Sequence, residues 1–390
     1  MSSMATRGFP QFGDGDVEIY LKTDEKLVLH STILSLHSKW FKSSLSDKWA
    51  SSGADASILG GGSASAQKRW VYELRFGKEE CDGILMRQGQ ANAEPSNTGE
   101  TATPTEMISA EDAIDMDEYM LDERLECANA HKNLFCAIYH CILSLNGKSF
   151  EEAKASIEVL MNIAEMYGCE DVVKKDIELH IWHFRQSVLD ICVHNPVSML
   201  EFSIRHESEW IFKEAATNIL GRSNRFWNAS RLALEGMDIY EMLDEKRAIF
   251  VKTLIEAEHA IHNLRQQPPQ NPSKRTAYCF LHDELRNAYK DSLGCRLGPG
   301  YANIYHSIAD NTAAGIAARK QRAIAYRSTF FTGAADNTDV FLQHVEEAFS
   351  AARKSLVPLL KDATRLQPKV EDKHRALTFM KIEDADLPWA

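Results

Sequence analysis

The sequence holds no apolar run near the roughly 18 residues that a membrane span needs. Its N-terminus, Met-Ser-Ser-Met-Ala-Thr-Arg-Gly-Phe-Pro, has no apolar core of the signal-peptide kind. These absences predict an intracellular protein, in cytoplasm or nucleus, with no membrane association. Also missing are a Gly-rich loop followed by Lys-Ser or Lys-Thr, a nucleophile elbow, a His-Glu-x-x-His pair and a Cys-x-x-Cys pair. The glycines from Leu59 to Gly62 have no Lys-Ser or Lys-Thr after them. No enzyme activity and no cofactor are therefore expected.

Cysteine is present without a framework. The eight residues at 81, 127, 136, 141, 169, 192, 279 and 295 are scattered, mostly between apolar neighbours, and are expected to be reduced, buried thiols. Cys127-x3-His131-x4-Cys136-x3-His140-Cys141 has zinc-ligand content. At about 100° per residue, however, 127 and 131 share a helix face while 136 lies about half a turn away, so no metal site is expected. Cys279 and His282 form a lone pair, and His180 and His183 flank Trp182 at the rim of an apolar stripe.

Basic character is scarce. The net charge is -12, and between Gln88 and Glu126 eleven acidic residues face Arg124 alone. The rest of the chain is close to neutral. Arg319, Lys320, Arg322 and Arg327 read as a solvated helix face, and there is neither finger spacing nor a basic helix leading into heptads. Nucleic acid is not an expected partner.

What is present begins at Asp16. Val17, Ile19 and Leu21 alternate with polar residues, as do Leu27 and Leu29 about Val28, which predicts two half-buried strands joined by Thr23-Asp24-Glu25. From His30 the period turns helical through Ile33, Leu34, Phe41 and Leu45, with Ser38 at an N-cap position. Trp70, Tyr72, Leu74 and Phe76 predict a third strand. A helical pattern from Met116 runs past Tyr139. Ser149-Phe150-Glu151-Glu152 then reads as a capping box opening a helix that ends at Gly168, and Val173, Ile177, Ile181, Phe184 and Val188 stripe the next.

This order resembles the BTB/POZ family of protein-interaction domains. The resemblance rests on Asp16, on His30 opening the first helix, on Ser38 and Phe41 in the second, on Tyr139, and on Ile163-Ala164-Glu165-Met166-Tyr167-Gly168 as the hinge of a closing helical pair. It implies an α+β fold in which a short mixed sheet is flanked by helices over 16–185. Residues 1–15 form a flexible tail, and flexible insertions fall at about 51–67 and 87–117, the second a solvated acidic loop. The all-α C-terminal region, 186–390, has Asn195-Pro196 at a helix start, a linker at 266–273 with three prolines, and a loose, polar C-terminal end.

The resemblance further implies a non-enzymatic adaptor or scaffold whose partners are other proteins. Its alternatives are a substrate adaptor for a cullin-3 ubiquitin ligase and a BTB-type transcriptional regulator. Partner contacts are expected at Trp40, Leu45 and Trp49. The cullin-binding branch carries a hydrophobic-x-Glu element after the second helix; Trp49-Ala50-Ser51 keeps the hydrophobe and lacks the acid. The tail has no apolar pattern for the extra strand and helix of strand-swapped dimers, so a dimer of that kind is not expected, while self-association by another surface stays open. The arrangement is similar to uncharacterised BTB proteins of filamentous fungi.

Overall fold

The computed structural model describes residues 9–10, 12–22, 25–46, 70–77, 83–87, 107–108, 118–145, 147–266, 271–291, 302–330, 337–364 and 376–390. The chain divides into two compact units, Met1–Arg185 and Gln186–Ala390.

In the first unit, β1 (Val17–Lys22) and β2 (Glu25–Leu29) pair antiparallel with Ile19 opposite Leu27. Val17, Ile19, Leu21, Leu27 and Leu29 are buried on one face, which is what the period-two pattern requires. β3 (Trp70–Gly77) lies parallel to β1, with Ile19 opposite Tyr72. β4 (Gly83–Arg87) runs antiparallel to β3, giving the order β2-β1-β3-β4. A short β5, Met107–Ile108, pairs with the far end of β3 at Phe76 and Gly77. The insertion at 87–117 is therefore not wholly a flexible loop. Two ladder residues can be held by backbone groups alone, so they leave no apolar period to read.

Two short helices follow β2: α1 (Ser31–His37) and α2 (Lys39–Ser44). Three longer ones complete the unit: α3 (Glu118–Ile138), α4 (Phe150–Met166) and α5 (Glu170–Trp182). The start of α4 departs from a reciprocal capping box. Ser149 Oγ accepts the Glu152 N–H at 3.3 Å, but the Glu152 carboxylate accepts the N–H of Lys148, one residue earlier than the cap itself. Gly168 leaves the helix at φ +61°, with Lys39 Cβ only 3.3 Å from where its own Cβ would be. The stripe from Val173 to Val188 is not one helix, because the backbone tightens at His183 and Phe184, whose N–H groups bond three residues back to His180 and Ile181.

Within the N-terminal tail, Phe9 and Phe12 are docked; residues 1–8 and 11 lie outside the described residues. Phe9 is 9% exposed, and Phe12 stacks on Tyr139 with ring centres 5.0 Å apart. Two aromatics docked on one tyrosine give a segment too short for any apolar period its order.

The second unit is helical: α6 (Arg185–His194) leads into α7 (Pro196–Arg205), α8 (Glu209–Leu220), α9 (Asn224–Glu235) and α10 (Tyr240–Gln266). After these come α11 (Pro272–Asp291), α12 (Ala302–Ala309), α13 (Ala313–Phe330) and α14 (Thr338–Leu356). Phe250 and Leu254 of α10 share one core with Phe280 and Leu281 of α11, Tyr305 of α12 and Phe349 of α14. The proline-rich stretch at 266–273 is thus a connection within one core and not a division between domains. Residues 267–270 lie outside the described residues, and Asn271 Oδ1 caps α11 by accepting the Ser273 N–H at 2.9 Å.

Two of the basic residues of α13 sit in ion pairs. Arg319, 1% exposed, pairs with Glu346 at 3.1 Å and lies 4.6 Å over the Phe349 ring, and Arg322 pairs with Glu284 at 2.8 Å. Arg319 is therefore a packed residue, while Lys320 and Arg322 lie on the solvated face.

The C-terminal end, expected to be loose, is packed. Leu377 N–H donates to the Gly221 carbonyl at 3.1 Å, Phe379 stacks on Phe250 at 4.9 Å, and Lys246 pairs with Asp386 at 2.8 Å. These contacts join residues more than a hundred positions apart, so local composition carries no trace of them. A Cβ on Gly221 would collide with the Leu377 carbonyl. Gly221→Ala should displace 376–390 and make that segment the first cleaved in limited trypsin digestion; native resistance in the variant would refute the docking.

Candidate functional site

The residues singled out by the family resemblance converge where α1 and α2 meet the sheet. α1 begins with no cap from its own N-cap residue, His30. Asp16, at the entrance of β1, supplies it from outside: its carboxylate accepts the Ser31 N–H at 2.7 Å and the Ser31 hydroxyl at 2.6 Å. A carboxylate at a helix N-terminus also meets the positive end of the helix dipole, worth about 0.3–1 kcal/mol.

His30 donates its backbone N–H to the Tyr139 hydroxyl at 2.7 Å. The same hydroxyl faces His30 Nδ1 at 3.3 Å, and Nε2 faces Asp14 Oδ1 at 3.3 Å. With Tyr139 donating to Nδ1, the ring proton sits on Nε2 and points at the carboxylate. Asp14 is held below the usual carboxylate range chiefly by that hydrogen bond, and burial pushes the Tyr139 phenol up to about 12.

Ser38 does two things at once. Its Oγ accepts the Phe41 N–H at 3.1 Å, capping α2, and its hydroxyl donates to the Tyr167 carbonyl at 2.6 Å. Phe41 is fully buried and stacks on Tyr167 at 5.8 Å. At the other end of α2, Ser44 Oγ and the Tyr72 hydroxyl lie 2.6 Å apart, tying the helix to β3.

Tyr167, expected only as the last apolar residue of its helix and part of the hinge phrase, is a hydrogen-bonding centre. His131 Nδ1 lies 2.9 Å from the Cys127 carbonyl, which can only accept, so Nδ1 carries the proton. His131 Nε2 therefore accepts the Tyr167 hydroxyl at 3.1 Å, and the same oxygen accepts the Leu85 N–H at 3.0 Å. One buried phenol thus joins α3, α4 and β4. Burial raises the Tyr167 phenol well above its ordinary value and lowers His131 to about 4, so this pair is a neutral structural bond and not an acid–base couple at neutral pH. The only signal in the chain was an aromatic one residue before a helix-ending glycine.

The expected partner residues separate. Trp40 is half-buried, edge-on to Tyr167 at 5.0 Å and to Phe41 at 4.8 Å. Leu45, at 8% exposure, belongs to the core and is not available for docking, because the C-terminal end of α2 turns it inward with Phe41. Trp49 lies outside the described residues. Exposed apolar side chains among the described residues include Leu36 on α1, 78% exposed, and Ile142, just after α3, 95% exposed. Leu36 was readable, since two positions after the inward-facing Leu34 it must point about 200° away.

His37 and His140 bring their rings edge to face at 6.3 Å on the outside, while Cys127 and His131 lie together in the core. The Cys127–His131 pair and His140 thus point to different places, and among the described residues no group of three or more His, Cys, Asp or Glu converges on a point. Among those residues no helix is long and apolar enough to cross a membrane. No protein-family model, curated protein or solved structure matches the chain.

Proposed function

We propose that residues 16–185 form a BTB/POZ-like interaction module and that the protein is a non-enzymatic adaptor or scaffold. The observation that carries this reading is the parallel pairing of β3 with β1 around the α1–α2 pair, with Asp16 reaching from the sheet to cap α1. The bonds of His30 and Ser38 to Tyr139 and Tyr167 support it. Partner contact is assigned to Leu36 and Trp40, because an exposed leucine on α1 and an incompletely covered tryptophan on α2 favour association.

Cullin-3 docking is the subordinate reading, since the residues it would use, Trp49-Ala50-Ser51, lack the acid. The regulator reading has no DNA-reading element to support it.

The test is quantitative capture from native lysate by the full chain and by its Leu36→Asp and Trp40→Ala variants, with Leu232→Asp, on exposed α9 surface, as control. A discrete set of proteins should fall about tenfold or more with Leu36→Asp and stay constant with the control. Identical capture by all four chains would refute the assignment.

A further inference from the structure

Helix α3 ends in a Schellman motif made without glycine. His140 adopts φ 54°, its N–H donates to the Ala137 carbonyl at 3.0 Å, and the Cys141 N–H donates to the Cys136 carbonyl at 2.7 Å. The motif characteristically brings together the side chains of the two residues joined by its longer bond. Here both are thiols, and both are free.

Bond geometry limits how far apart they can be. A carbonyl oxygen lies about 2.4 Å from its own α-carbon and an amide nitrogen about 1.5 Å from its own. Joined through a 2.7 Å hydrogen bond, the two α-carbons cannot be more than about 6.6 Å apart. A disulfide spans roughly 4.4–6.8 Å between α-carbons.

We propose that Cys136 and Cys141 are an oxidation site, at which a hydroperoxide converts the two thiols into an intramolecular disulfide closing the end of α3. Cys141 is the more accessible, Cys136 being 7% exposed, so Cys141 is attacked first. Its thiolate takes the distal oxygen of hydrogen peroxide, the O–O bond breaks, and the departing hydroxide takes up the proton that the thiol released, leaving a sulfenic acid and water. The Cys136 sulfur then displaces the sulfenic oxygen, forming the S–S bond as the Cys136 proton leaves with that oxygen as a second water. Two thiols lose two hydrogens and one peroxide is reduced.

Burial pushes the Cys136 thiol up to about 11, which disfavours it as the first thiol to meet peroxide. Closure requires the Cys141 side chain to give up its weak 3.7 Å contact with the Tyr139 carbonyl. The bond would fix the backbone between Tyr139, which holds the start of α1, and the exposed Ile142.

Trypsin leaves both cysteines in one peptide, 133–148, with Cys127 in a different one. The intact chain is treated with hydrogen peroxide, blocked with N-ethylmaleimide and digested without reductant. Peptide 133–148 should appear two hydrogens lighter and unblocked, at a rate independent of protein concentration, and should take two labels after reduction. In Cys141→Ser, whose folding is checked by circular dichroism, the same peptide should keep a labelled Cys136. A peptide that retains two labels while other cysteines oxidise, that goes to sulfinic acid without bond formation, or that links to the Cys127 peptide overturns the proposal.

Discussion

Replacing Tyr167 by phenylalanine should destabilise the first unit by about 2–4 kcal/mol and remove the hydrogen-exchange protection of the Leu85 amide. The ring keeps its stacking on Phe41 and its edge contact with Trp40, so packing is nearly unchanged. What disappears is one oxygen that accepts the Leu85 N–H and whose proton is held by His131 Nε2. Each polar group left buried and unpaired costs about 1–3 kcal/mol, and no water reaches them at the 0% exposure of His131. The measurement is the urea midpoint at unchanged slope, with Leu85 exchange read in parallel. An unchanged midpoint would mean that the phenol does not hold α3, α4 and β4 together.

Acid should weaken the fold through His131. Its folded-state value is lowered from 6.5 to about 4 by burial, against a weaker opposing effect of its bond to the Cys127 carbonyl. The unfolded chain therefore takes up this proton first as pH falls. The stabilisation is complete above pH 6.5, declines between 6.5 and about 4, and changes no further below that, for a loss of about 3 kcal/mol. His131→Gln should be less stable at neutral pH, yet its stability should fall less steeply through this window. Parallel pH profiles for the native chain and the variant would exclude His131 as the source.

Local signals carried much of the first unit. The alternation in β1, β2 and β3, the cap at Ser38 and the left-handed Gly168 each depend on neighbours in sequence, and each is found in place. Asp16 was legible only as a marker of the family pattern; its capping of Ser31 fifteen residues away supplies the reason. What stayed hidden is long-range. Tyr167 looks like any buried aromatic until Leu85 and His131 are placed around it, and Phe9 and Phe12 look like tail residues until Tyr139 receives them. Leu45 fits a helical stripe equally well facing in or out, and the sequence alone does not choose. In the second unit, 376–390 were misjudged because their partners lie on α8 and α10.

The proposed module depends most on β3 lying parallel to β1, and paired cysteine substitutions in the intact chain test that pairing directly. Glu18 lies opposite Val71 and Tyr20 opposite Glu73. Oxidised by copper phenanthroline, Glu18→Cys with Val71→Cys and Tyr20→Cys with Glu73→Cys should cross-link readily. The crossed pairs, Glu18→Cys with Glu73→Cys and Tyr20→Cys with Val71→Cys, should lag well behind. Preferential closure of the crossed pairs would make the strands antiparallel, and the proposed module would fall with its sheet.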